Sequence, residues 1–259
     1  MSEKPADYFK RYRQAIGFTS QMTAKQFLSG KDVSPEIDFA YIDKLNHRLC
    51  DIINAINDIS DASYKLTDIA EFTQNNIYSP YKTIKDAGLI PRLNNQGRRP
   101  ESVLFSWLRG YMIVQFFTPL FSNLFSANMV TIGDDDLCNI ETFRRSPKAD
   151  LEFTHDNQCV RIEVQSGFQG INDIKEHKVR EAHRIFKTPD NPIKTICIHL
   201  DIFNGQVAFV QLDKIQTNDA NFVTRQQMEG QSVLAIDQNY FKWRLLDSLP
   251  EIDDLELSL

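Results

Sequence analysis

Lys148-Ala149-Asp150-Leu151-Glu152-Phe153 is followed by the polar stretch His155-Asp156-Asn157-Gln158 and then by Arg161-Ile162-Glu163-Val164-Gln165. Side chains alternate faces along a strand, so Lys148, Asp150 and Glu152 share one face of the first segment. On the second segment Arg161, Glu163 and Gln165 share a face, while Ile162 and Val164 point the other way, toward a core. Asp and Asn in the connecting stretch favour a turn, so the two segments read as a hairpin. In such a hairpin Asp150 and Glu163 are expected opposite each other. Two carboxylates placed so repel, and a site that keeps them calls for a cation. Paired carboxylates are hard oxygen ligands of the kind Mg²⁺ takes beside substrate phosphate oxygens.

The order of elements around the hairpin is helix, strands, helix, strands. Pro100-Glu101 opens a long apolar helix predicted from Ser102 to about Phe125, with proline at the helix start. Strands are predicted at Met129–Ile132, Ala149–Phe153 and Cys159–Gln165. A charged amphipathic helix is predicted from Ile171 to about Lys187, with Ile174, Val179, Ala182 and Ile185 at helical spacing. Thr195–Leu200 is an apolar run suited to a buried strand, and Gln206–Leu212 follows it after an Asn204-Gly205 turn.

The acid, the spacer and the Glu163-Val164-Gln165 triplet resemble the PD-(D/E)XK nucleases, and within them the type II restriction endonucleases. Asp150 matches the first acid, with Pro147 nearby, and Glu163 the second. Gln165 stands where that family usually carries lysine, a variant that some restriction endonucleases share. The resemblance covers about residues 100 to 212. It implies an α/β (α+β) fold with a mixed central sheet flanked by helices, and a helical N-terminal region in front of it. It also implies Mg²⁺ held by Asp150 and Glu163, and double-stranded DNA as partner. The expected activity is hydrolysis of phosphodiester bonds at a short specific sequence, by a homodimer in the bacterial cytoplasm. A repair or nicking nuclease of the same superfamily, a non-cleaving DNA-binding protein of the same fold, and a helical partner-binding protein with an accidental carboxylate pair are the competing readings.

Gln165 can orient a water but carries no charge. Lys148, on the Asp150 face, and Lys175 and Lys178, on the following helix, are the cations available to replace the family lysine. Glu101 resembles the extra acid that many restriction endonucleases place on the helix before the sheet; a first-turn carboxylate that complements the helix dipole explains it as well. Glu152 reads as an exposed strand acid.

The chain has 259 residues and a formal net charge of −6. The charge is segregated. Residues 82–99 and 175–187 are each net positive, whereas Asp247–Glu256 holds five acids and no base. Phosphate contacts need only a local basic patch. Asn94–Arg99 reads either as a DNA-contacting loop or as a plain exposed one. No apolar run is long enough to cross a membrane, and the N-terminal residues carry no signal-like apolar segment. Four widely spaced cysteines at 50, 138, 159 and 197 are expected as reduced thiols. The histidines lack zinc-site spacing, with His177 and His183 expected on a helix surface, and no nucleophile elbow or phosphate-binding glycine loop is present. Trp107 and the Phe-rich run to Phe125 read as core.

Residues 1–99 are expected to be helical, with helices at Asp7–Ile16 and Thr23–Leu28, and residues 100–259 to form the nuclease-like core, the two making one compact unit. Apolar residues from Ile42 to Ala70 recur in heptads, with Leu49, Ile52, Ile56, Ile59 and Leu66 among them. Ile53, Ala55, Ala62 and Ile69 widen the stripe, which fits packing inside the chain or a broad subunit interface.

Overall fold

A computed structural model describes residues 5–30, 33–93, 98–133, 149–189, 192–216, 220–225 and 230–259. Lys148, Pro147, Cys138 and Asn94–Gly97 lie outside the described residues. Seven α-helices are described: α1 (Pro5–Ala15), α2 (Gln21–Leu28), α3 (Phe39–Ile59), α4 (Ile69–Thr73), α5 (Ser79–Asp86), α6 (Pro100–Leu124) and α7 (Glu176–Phe186). A π-helical turn, Gln74–Tyr78, joins α4 to α5. The strands are β1 (Val130–Thr131), β2 (Leu151–His155), β3 (Gln158–Gly167), β4 (Asp173–Lys175), β5 (Lys194–Asp201), β6 (Gln206–Gln211), β7 (Val223–Arg225), β8 (Gln231–Ala235) and β9 (Phe241–Arg244).

Mixed α/β architecture results. The main sheet has the order β1-β2-β3-β5-β6-β9, and β4, β8 and β7 make a smaller second sheet. All neighbours in the main sheet run antiparallel except β3 and β5, which are parallel. Parallel neighbours need a crossover, and α7 lies on the chain between them. The hairpin β2–β3 turns at Asp156 and Asn157, with φ of 46° and 63°. Two positive φ values in succession define the tight hairpin turn that Asn and Asp tolerate. The turn is therefore shorter than the four-residue polar stretch expected, because His155 and Gln158 pair with each other at the ends of the strands.

Alternation along β3 and β5 divides the core in two. Val160, Ile162, Ile196, Ile198 and Leu200 face a large apolar cluster with α3 and α6. Trp107, Phe116, Phe117, Phe121 and Phe125 all belong to it, as the Phe-rich pattern implies. On the opposite face Cys197, Ala208 and Val210 meet Ile174 and α7, through Val179 and Ala182. The large cluster runs from Ile42 to Leu255, so the helical N-terminal region and the sheet share one core. Tyr64 Oη donates to the Leu245 carbonyl at 2.6 Å and ties the segment after α3 to the segment after β9.

Two expectations about elements are corrected. The heptad pattern does not continue as one helix to Ala70: α3 ends at Ile59, with Ser60 capping in an extended conformation. Ile42, Leu49, Ile53 and Ile56 are buried within the chain, so this part of the stripe is packing surface, while Ile59 is 52% exposed. The charged helix starts at Glu176, not Ile171, because Asp173–Lys175 is withdrawn to pair antiparallel with β8. Cys50, Cys159 and Cys197 are free thiols. No helix among the described residues is long and apolar enough to cross a membrane.

Candidate functional site

Leu151 pairs with Ile162 at the end of the β2–β3 ladder, and Asp150 and Glu163 are the next residues on the two strands. The ladder ends there. Asp150 donates its own N–H to the Ile162 carbonyl at 3.0 Å, and its carbonyl accepts from Ile132 and Gly133. The Val164 N–H, which a continuing β2 would have satisfied, is taken by the Asp150 carboxylate, Oδ2 accepting at 2.7 Å. The acid thus stands at the fork where two strands part, bordered by Tyr111, Val114 and Gln115 of α6 and by Thr131 and Gly133.

Glu163 projects to the α7 side of the sheet. Lys178 Nζ reaches it from α7 and lies 2.8 Å from both carboxylate oxygens. Only 16% of the Glu163 side chain and 22% of the Lys178 side chain is exposed. Charge-assisted bonds shielded from water to this degree are stronger than surface ion pairs. Arg161, Glu181 and Thr195 line the same small cleft as Glu163 and Lys178. Arg161 is paired with Glu152 at 3.0 Å, which leaves Glu152 as an ion-paired strand acid away from the Asp150–Glu163 step.

Cys197 lies directly beneath this group, in register with Glu163 on the parallel neighbour. Burial pushes its thiol well up, Glu163 and Asp150 push it further, and Lys178 opposes them. One buried sulfur therefore senses both carboxylates and the ammonium.

Gln165 is placed on the same face but has other partners. Its Nε2 donates to the Asp173 carbonyl at 2.9 Å, and its Oε1 accepts from the Cys197 thiol at 3.9 Å. It ties β3 to β4 and β5. Asp173 is itself buried and accepts from Arg225 Nε at 3.0 Å. Further along the face His199 Nε2 meets Asn172 Oδ1 at 2.8 Å, and Asn172 donates to the buried Asp201 at 3.0 Å. Gly167 allows this approach, because a Cβ there would stand 3.1 Å from the Ile171 carbonyl and 3.3 Å from His199 Nε2.

Glu101 is not brought to the pair. It is 1% exposed, accepts from the Asp38 N–H at 3.0 Å and from Arg99 Nη2 at 3.1 Å, and so pins the start of α3 to the start of α6. The part of α6 beside Asp150 begins at Tyr111, roughly 15 Å further along the helix axis. Of the replacement cations, Lys178 stands at Glu163, and Lys148 lies outside the described residues. Glu181 in the cleft was not singled out from sequence; its spacing from Lys178, one helical turn, is the signal that was available.

The donor types fit a hard divalent ion in their chemistry: both are carboxylates, and an ionised carboxylate has more acceptor sites than a single N–H or ammonium uses. No group of three or more His, Cys, Asp or Glu side chains suited to holding a metal occurs among the described residues. No protein-family model matches the chain, and no curated protein shows significant similarity to it.

Proposed function

We propose that the chain is a Mg²⁺-dependent endonuclease that hydrolyses phosphodiester bonds in double-stranded DNA at a short specific sequence, a type II restriction activity carried out in the cytoplasm by a homodimer. The observation that carries the reading is the placement of Asp150 at the end of β2 and of Glu163 on the paired strand β3, with the Lys178 ammonium 2.8 Å from Glu163. The element order around it resembles the restriction-endonuclease core.

Asp150 and Glu163 would hold the ion, which when bound would supply charge to the scissile phosphate and acidify a water. Lys178 sets the charge that the strand position of Gln165 lacks, and can hold a water or a phosphate oxygen beside Glu163. Gln165 positions the strand by its bonds to Asp173 and Cys197 rather than handling a proton. Tyr111 and Gln115 wall the Asp150 side of the fork.

The test is cleavage of plasmid and of short duplexes with and without Mg²⁺. Cleavage is expected with the ion and not without it. Asp150→Ala and Glu163→Ala are expected to abolish it while leaving folding and DNA binding intact. A near wild-type rate in either variant would overturn the assignment. A second reading, a DNA-binding protein of the same fold that does not cut, is favoured by one observation: Asp150 and Glu163 already have structural partners in Val164 and Lys178. Specific duplex binding with no cleavage under any divalent ion would select it.

A further inference from the structure

Arg109 of α6 is a partly buried cation without an acid among the described residues. Its Nε is shielded from solvent and has no hydrogen-bond partner among them. The guanidinium lies over the ring of Phe168, 4.6 Å from the centroid, and within 5.7 Å of the Phe105 centroid. Burial lowers its proton affinity first, and the charge of Arg98, also positive, lowers it further. Arg98 runs along the same helix, donating to Ser106 Oγ at 2.7 Å and to the Ser102 carbonyl at 3.3 Å. A structural arginine normally forks onto a carboxylate or carbonyls, since a buried charge left uncompensated is costly. Here two rings stand against the guanidinium and a second cation acts on it, while its buried Nε has no hydrogen-bond partner among the described residues. That arrangement suits an oxyanion held bidentately by a guanidinium.

We propose that Arg109, braced by Phe105 and Phe168, is an anion anchor that takes a backbone phosphate of the bound nucleic acid, an inference that rests on the DNA-cleaving reading for the identity of its ligand. Phe168 follows directly on β3, the strand that carries Glu163. Five residues of strand separate them, roughly 16 Å, or about five base steps along one strand of a duplex. On that reading the anchor, on the α6 face of the sheet, grips the DNA away from the cut. Contacts of this kind position without reading sequence.

Two measurements on the full chain test it. In the first, inorganic phosphate is titrated while the arginine Nε–H resonances are followed, with Arg109→Lys identifying the Arg109 signal by its loss. A saturable shift of that signal is expected. In the second, binding of a short duplex is measured without divalent metal across roughly 50 to 200 mM salt. Arg109→Gln is expected to weaken binding about tenfold and to flatten the salt dependence by about one unit of slope, equally for cognate and random duplexes. Arg109→Lys, which keeps charge but not the fork, should fall between. If phosphate leaves the signal unmoved and Arg109→Gln keeps wild-type affinity and slope, the anchor is refuted. If phosphate binds at Arg109 but the wild type ignores duplex, the anchor serves a free oxyanion and the nuclease reading is what fails. If duplex binds with an unchanged slope in Arg109→Gln although phosphate shifts the signal, the backbone-phosphate assignment is overturned. Should Arg109→Gln not fold, the lysine variant and the phosphate titration decide alone.

Discussion

Asp150 and Glu163 carry the same charge, and each has been given a different way to keep it. Asp150 accepts from the Val164 N–H at 2.7 Å; Glu163 is held by Lys178. The hairpin that carries them could be read from the pattern, because strand alternation and a turn fix how β2 and β3 pair. The partner of Glu163 could be named only as one of several cations, because the helix that delivers it is placed by packing of Val179 and Ala182 and not by local sequence. If Lys178 supplies the charge that Gln165 lacks, Lys178→Met should lower the single-turnover cleavage rate by about 10²- to 10⁴-fold, the range for a positioned proton-handling or charge-stabilising group. Gln165→Met should lower it less, with a smaller fall in rate and a larger loss of thermal stability. The opposite order would return the catalytic role to the strand position. His199 offers a separate test. Burial of its ring pushes its pKa from the ordinary 6.5 to about 4, against the pull of Asp201 and Asp173. The unfolded chain therefore takes up a proton first as pH falls, and stability present above pH 6.5 is lost progressively toward pH 4. About 2 kcal/mol should be missing at pH 5 relative to pH 7.5, as denaturant titration would show. In His199→Gln that increment should be absent, and an equal pH slope in both proteins would mean the ring is solvated.

At the scale of elements, the long-period signals were legible and the short ones were not. α6 follows from proline at its start and twenty apolar-rich residues after it, and β5 and β6 from compact apolar runs. β4 was hidden. It is three residues long, and its pairing with β8 joins segments about sixty residues apart, which no local periodicity records. Its withdrawal from α7 matters for the site, because it places the Asp173 carbonyl where Gln165 can bond it. The heptads of α3 were a true signal of an apolar stripe, but the period could not say which surface would cover it. Leu49 is fully buried inside the chain. Leu49→Ala should therefore destabilise the fold by about 2 to 5 kcal/mol, the usual cost of such a cavity. Its effect on subunit association should be nil at temperatures where the variant stays folded. Light scattering together with thermal unfolding separates the two effects, and dissociation without loss of stability would restore α3 as an interface.

For the molecule as a whole, net charge is a poor guide to partners, since the carboxylate tail and the basic segments lie far apart in sequence. Many of the basic groups on α5 and α7 are already engaged within the chain, Lys82 with Asp86, Arg180 with Glu176 and Arg184 with Glu181. Exposed pairs of this kind contribute little to stability and can be exchanged for phosphate contacts, so they do not argue against a nucleic acid. What bears on stoichiometry is the number of carboxylate sites. Under the proposed endonuclease reading, the described residues offer one such pair of acids, Asp150 and Glu163, and one pair serves one strand. Cutting both strands of a duplex in a single encounter needs two copies related by a two-fold axis, and such a pair reads a site with matching symmetry. Much of the α3 stripe is spent on the chain's own core, and the aromatic side chains of α1 and α2, Tyr8, Phe9, Tyr12 and Phe27, are more than half exposed and offer a surface for contact between copies. Sedimentation at micromolar concentration is expected to give twice the mass of the chain, and end-mapping is expected to place cuts symmetrically about the centre of a palindromic site. A chain that stays monomeric with and without its duplex, and leaves a single nick, would break the dimer argument and move the reading to a nicking or repair nuclease built on the same fork.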